Sequence, residues 1–105
     1  MAIEEITVDR LAELLAEGVR VIDVREPAEF EQARLAGSTL VPLGTVPQRV
    51  DDFRGEGPVY VICRSGGRSM QACTFLAEQG ADVVNVTGGL MAWISSGREY
   101  VTGPA

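Results

Sequence analysis

The stretch that most constrains this chain is Val59-Tyr60-Val61-Ile62-Cys63-Arg64-Ser65-Gly66-Gly67-Arg68-Ser69. Four apolar residues run straight into a cysteine without polar alternation, as a strand buried on both faces requires. Two arginines, two glycines and two serines follow. Then comes a helical pattern over residues 69–79, with Ala72, Cys73, Phe75 and Leu76 on its apolar face and Gly80 as its stop. Backbone N–H groups at a helix start are unpaired and point at whatever the preceding loop holds, and the helix dipole favours negative charge there. Gly66 and Gly67 supply the backbone freedom a closed loop needs. The chemistry that fits is Cys63 held as thiolate, carrying or binding an anion.

The rest of the chain alternates strand and helix signals. Ile3 and Ile6 allow a brief edge strand, and Thr7 is a good N-cap for a helix over residues 8–17 with Leu11, Leu14 and Leu15 inward. Residues 19–24 read as a strand ending beside Asp23 and Arg25. Pro27 opens a short helix over 27–33 anchored by Phe30. Leu40 and Val41 suggest a short strand, Pro47 starts another short helix reaching Phe53, and Asp82 to Val86 is a further strand. Thr87, Gly88 and Gly89 then turn into a last helix with Leu90, Met91 and Trp93, where Trp93 is expected in the core. A small closing strand is expected at 99–101, within a loosely ordered tail over 98–105. This predicts an α/β fold: one domain over residues 1–105, with a central, mainly parallel sheet of about five strands and helices on both faces. Right-handed crossovers then bring Asp23–Arg25, the Cys63 loop and the Thr87–Gly89 turn to one sheet edge.

Composition narrows the chemistry. The 105 residues carry a net charge of −6, which disfavours nucleic acid and anionic membrane as partners. All nine basic residues are arginine. With no histidine there is no Cys-His dyad and no His-ligated metal, so the thiol must be activated by arginine, helix dipole and backbone N–H groups. No cofactor is expected. No leader pattern or membrane-length apolar run is evident, so a soluble, cytoplasmic protein with reduced thiols is expected.

Three stretches together resemble the rhodanese-like sulfurtransferase family, in its single-domain form: Val21-Ile22-Asp23-Val24-Arg25-Glu26-Pro27, Cys63 to Ser69, and Asn85-Val86-Thr87-Gly88-Gly89-Leu90-Met91-Ala92-Trp93. They fall in the family's order and at its spacing, and the resemblance runs from about Ile6 to Trp93. It implies that Cys63 takes a sulfane sulfur from a donor such as thiosulfate, becomes a persulfide, and passes the outer sulfur to a thiophilic acceptor. Arg64, Ser65, Gly66, Gly67, Arg68 and Ser69 would form the cradle. A thiol, cyanide, thioredoxin or another sulfur-accepting protein would be the acceptor. Arg64 or Arg68 would hold the sulfonate end of thiosulfate. Ser65 and Ser69 serve equally as donors to the sulfur or as local caps. Asp23 and Arg25 read as a structural polar network beneath the loop, and Gly88 and Gly89 as a close-packing turn that also walls the pocket. Cys73 reads as core.

The chain departs from the family where Ala33-Arg34-Leu35-Ala36-Gly37-Ser38 replaces a common Gly-His segment. A left-handed helix cap at Ala33 would then carry strain of about 1–2 kcal/mol, and Ala33→Gly would be neutral or stabilising. Two other functions compete. One is a sulfur-carrier or interaction module that serves a protein partner and turns over free thiosulfate poorly. The other is a phosphatase or arsenate reductase, but those relatives of the fold use Cys-x5-Arg, whereas four residues separate Cys63 from Arg68 here. The sulfurtransferase reading requires a sulfur that ionises below a free thiol and that solvent can reach.

Overall fold

The computed structural model describes residues 2–104. Its centre is a parallel sheet of β1 (Glu4–Ile6), β2 (Arg20–Asp23), β3 (Thr39–Leu40), β4 (Val59–Ile62) and β5 (Val83–Val86), in the order β1-β5-β4-β2-β3. The helices are α1 (Val8–Leu15), α2 (Pro27–Gln32), α3 (Gly67–Glu78) and α4 (Gly89–Ser95). β4 is therefore the middle strand, which is why its four residues are all buried and all apolar.

Side chains alternate across a strand, so β4 feeds two cores. Val59, Val61 and then Cys63 face Ala72, Cys73 and Leu76 of α3, together with Ile22, Val46 and Phe53. Tyr60 and Ile62 face Val8, Leu11 and Leu14 of α1 and Leu90 and Trp93 of α4. Each fully buried valine or leucine contributes about 1.5–3 kcal/mol through the area it removes from water. Thr7 caps α1, its hydroxyl accepting from the Arg10 N–H at 3.2 Å. The parallel register puts the carboxyl ends of β2, β4 and β5 side by side, and the Val24 N–H donates to the Ile62 carbonyl at 3.0 Å.

Several boundaries differ from the sequence reading. The helix expected from Pro47 to Phe53 is two 3-10 turns, Leu43–Gln48 and Val50–Phe53, with Pro47 inside the first. Proline removes an i→i−4 bond, and the chain closes shorter ones instead, Thr45 to Pro42 and Arg49 to Val46. The short strand lies one residue earlier, at Thr39–Leu40, because those residues pair with Ile22 and Asp23. At the C-terminal end the structure shows a single antiparallel bridge between Arg34 and Val101, with reciprocal bonds of 2.8 Å, in place of a closing strand. Further along, the Gly103 N–H donates to the Glu31 carbonyl at 2.7 Å.

Ala33 does cap α2, its N–H donating to the Glu29 carbonyl, but the left-handed conformation considered for it is overturned. Ala33 is extended, with φ −166° and ψ 139°, and no described non-glycine residue has positive φ. Its backbone runs into the bridge through Arg34 rather than turning left-handed. Ala33→Gly therefore relieves no strain and adds unfolded-state freedom. The expected outcome in urea unfolding is a loss of about 0.5–1 kcal/mol, not a gain.

Candidate active site

Cys63 follows the last residue of β4, and the loop after it folds back so that its amides surround the sulfur. The Gly66 N–H donates to Cys63 Sγ at 3.0 Å, and the Ser69 hydroxyl lies 3.3 Å from it. Burial pushes the Cys63 thiol up. The Ser69 hydroxyl and the backbone N–H groups of Ser69, Gly66 and Ser65 pull harder the other way, so the thiol sits below its ordinary value. Among the described residues no arginine hydrogen-bonds the sulfur. The hydrogen bonds that favour the thiolate come from amides and one hydroxyl at the start of α3, while Arg68 interacts with the Cys63 charge without bonding to it.

The sulfur is enclosed. Cys63 is only 1 % exposed, whereas the sequence reading asked for a sulfur open to solvent. Its neighbours Arg64, Ser65 and Gly67 are exposed. In this conformation a reagent must come through the loop to reach it.

The two glycines of the loop do different things. Gly66 precedes α3 at φ 111°, a left-handed position that disfavours a side chain. Gly67 is already the first residue of α3 and has open space around its Cα, so the special dihedral expected there is absent. The more demanding glycine lies behind the loop. A Cβ on Gly89 would fall within 2.6 Å of the carbonyls of Cys63 and Arg64, at a backbone φ of 58°. That crowding exists because α4 begins against the loop, with Leu90 N–H donating to the Cys63 carbonyl at 2.9 Å and Met91 N–H to the Arg64 carbonyl at 3.0 Å. A Cβ on Gly88 would meet Ala92 Cβ at 2.6 Å. The Gly88-Gly89 turn thus lets one helix start grip the back of another's loop.

The arginines divide by partner. Arg25 is buried against buried Asp23, with contacts of 2.7 and 3.0 Å, and its guanidinium also donates to the Ala33 carbonyl at 2.6 Å. This pair ties the end of β2 to the end of α2. Arg68 makes a two-pronged ion pair with Glu29 of α2, at 2.7 and 2.8 Å. That bond, against some desolvation and with help from the Glu26 N–H, holds the Glu29 carboxyl down at about 2. The Arg64 side chain makes no hydrogen bond or ion pair among the described residues. It lines a cleft of about 400 Å³ together with Arg25, Glu29, Leu90, Met91 and Ile94. A larger cleft, lined by Arg20, Thr39 and Arg49, lies at the other end of β2, away from Cys63.

Cys73 is buried in the α3 core; burial first, then the charges of Glu5 and Cys63, push its thiol up to about 12. Two residues with direct contacts here were not singled out in the sequence. Glu29 sits in the first turn of α2 and reads as ordinary helix chemistry. Asn85 accepts from the Ser69 hydroxyl, and its signal was present: a lone polar residue in the otherwise apolar run Val83-Val84-Asn85-Val86.

Two outcomes follow from this geometry. Gly89→Ala should destabilise the fold by at least about 2 kcal/mol in urea unfolding, while Gly67→Ala should leave the midpoint unchanged or raised. For Glu29, a depressed folded-state pKa means stability that is present above the ordinary carboxyl value of 4.5 and lost as pH falls towards about 2. The gap in urea midpoint between wild type and Glu29→Gln should therefore narrow over that window.

The rhodanese-like domain family model matches residues 7–96. The chain is 37 % identical over 102 residues to a sulfurtransferase of Allochromatium vinosum, covering 94 % of this chain and 95 % of that one. It is 38 % identical to the putative sulfurtransferase YtwF of Bacillus subtilis, covering 89 % and 92 %. Among solved structures it superposes on a rhodanese-related protein from Thermoplasma volcanium with a TM-score of 0.87 at 32 % identity, covering 93 % and 97 %. With a parallel sheet, a cysteine at the end of its middle strand and these relatives, the chain belongs to the rhodanese-like domain family.

Proposed function

We propose that this protein is a sulfurtransferase that moves a sulfane sulfur from thiosulfate or a persulfide donor to a thiophilic acceptor through a Cys63 persulfide. The observation that carries this is Cys63 Sγ itself, ringed by donors at the start of α3 and held below its ordinary pKa. Thiolate is the attacking species in sulfur exchange. With thiosulfate, the Cys63 thiolate attacks the outer sulfur. A new S–S bond forms, the old one breaks, and sulfite leaves with its electron pair. An acceptor thiolate or cyanide then attacks the outer sulfur and returns Cys63 as thiolate. A covalent intermediate of this kind gives ping-pong kinetics.

Within that reading each loop residue has a task. The N–H groups of Ser65, Gly66 and Ser69 stabilise the anionic sulfur before and after loading. Gly66 supplies the turn, and Gly67 starts the helix that presents those donors. The Arg64 guanidinium, without a protein partner among the described residues, holds the sulfonate. Arg68 acts through Glu29, fixing the start of α3 rather than gripping substrate. Asp23, Arg25, Gly88 and Gly89 support the loop from behind. The acceptor is a small thiol, cyanide, thioredoxin or another sulfur-accepting protein. With a net charge of −6, nucleic acid and anionic membrane are poor partners, and among the described residues no helix is long and apolar enough to cross a membrane. We place the protein in the cytoplasm, where its two thiols stay reduced.

The enclosure of Cys63 favours a second reading: a sulfur carrier whose protein partner opens the loop on docking and which turns over free thiosulfate poorly. Steady-state rates with thiosulfate and with a protein persulfide donor separate the two. For either, mass spectrometry after exposure to the donor should show a gain of one sulfur atom on Cys63, removed by cyanide and absent in Cys63→Ser. No gain on the wild-type protein with any donor would overturn the proposal.

A further inference from the structure

Ser69 is fully buried and Asn85 is 1 % exposed, and between them they hold one proton that two acceptors want. The Ser69 hydroxyl donates to Asn85 Oδ1, and Cys63 Sγ lies 3.3 Å from that hydroxyl's Oγ. A serine has one hydroxyl proton and cannot donate it fully to both. The amide of Asn85 cannot turn to relieve this. Its Nδ2 donates to Glu5 Oε2 of β1 at 2.9 Å and to the Gly66 carbonyl at 3.4 Å. Both are acceptors, so Nδ2 must face them and Oδ1 must face Ser69.

We propose that Asn85 is a positioning residue that competes with the Cys63 sulfur for the single Ser69 proton and so restrains ionisation of the site. The inference rests on Cys63 being the reacting sulfur. With Cys63 as a thiol, its S–H donates to Ser69 Oγ and the Ser69 O–H donates to Asn85 Oδ1, a continuous chain. With Cys63 as thiolate, the hydroxyl turns to the sulfur, and buried Oδ1 loses the one donor it has among the described residues. A buried acceptor without a donor is costly, so Asn85 opposes the ionisation that the loop amides promote. The balance suits transfer: an attacking thiol works best with its pKa near ambient pH, and a more acidic one is a weaker nucleophile. The Gly66 contact ties the same amide to the loop residue whose N–H donates to the sulfur.

Other charged and titratable groups surround the sulfur without bonding to it. Arg68 and Cys73 lie on α3, Glu29 on α2 and Glu5 on β1, with the Asp23–Arg25 pair at the end of the neighbouring strand. Changing Asn85 also removes its bonds to Glu5 and to the Gly66 carbonyl, so the Ser69 proton is read as the part of the shift that disappears when Ser69 is absent.

The test is the pH dependence of Cys63 alkylation by iodoacetamide in the full chain, read at the Cys63 peptide by mass spectrometry. Asn85→Leu should lower the midpoint by about one pH unit, which is about tenfold more thiolate well below it. In a Ser69→Ala background the same substitution should leave the midpoint where Ser69→Ala alone puts it. A midpoint unmoved or raised by Asn85→Leu, or shifted equally with and without Ser69, would overturn the proposal. If the leucine variant fails to fold by circular dichroism, Asn85→Val, which suits a strand, carries the same comparison. Alkylation reads ionisation and not sulfur transfer. A coupled shift in a protein that takes no sulfur from any donor would therefore count against the sulfurtransferase reading and leave this inference standing.

Discussion

The structure turns on keeping one sulfur ionisable where water is nearly absent. Burial by itself opposes a charged thiolate, and at Cys63 it is the largest single influence on the thiol. The opposing influence is the Ser69 hydroxyl and the backbone N–H groups of Ser69, Gly66 and Ser65, which only a loop closed around the sulfur can supply. Amides of this kind need no counter-charge of their own and are fixed by the backbone, so they lose little freedom in serving the anion.

Most of the surrounding architecture holds that loop shut. From behind, α4 starts against the carbonyls of Cys63 and Arg64, at a distance only a glycine at position 89 permits. From the side, the Asp23–Arg25 pair pins α2, and α2 in turn offers Glu29 to Arg68 on α3. A buried pair such as Asp23–Arg25 is weak support for stability in itself, because desolvation offsets most of its attraction. Its value here is geometric: it fixes where the Glu29 carboxylate stands. Two of the three arginines nearest the site are thus occupied by protein carboxylates, and the Arg64 guanidinium has no partner among the described residues.

The polar chain from Glu5 through Asn85 to Ser69 extends the same design to the edge of the sheet. β1 pairs with β5 so that Glu5 stands beside Asn85, which lets an exposed carboxylate orient a buried amide. The site is therefore built from four strands and helices that are distant in sequence.

The sequence by itself determined the parallel α/β architecture, because Val59–Ile62 is apolar on both sides, Val83–Val86 is so but for Asn85, and such runs alternate with helical periods. It also pointed to the stretch from Cys63 to Ser69 as the candidate site, since a cysteine between a buried strand and a glycine-led helix start sits where backbone amides converge. Asp23 and Arg25 were legible as a pair because they sit two residues apart at a strand end. Tertiary structure decided what depends on contact between distant segments: that Arg68 is spent on Glu29, that Ala33 is extended towards Val101, that Gly89 rather than Gly67 is the sterically required glycine, and that Asn85 shares a proton with the sulfur's donor. Local pattern records burial and backbone preference, which act over a few residues. Partner choice among charges and hydrogen bonds is made only when the folded chain brings those segments together.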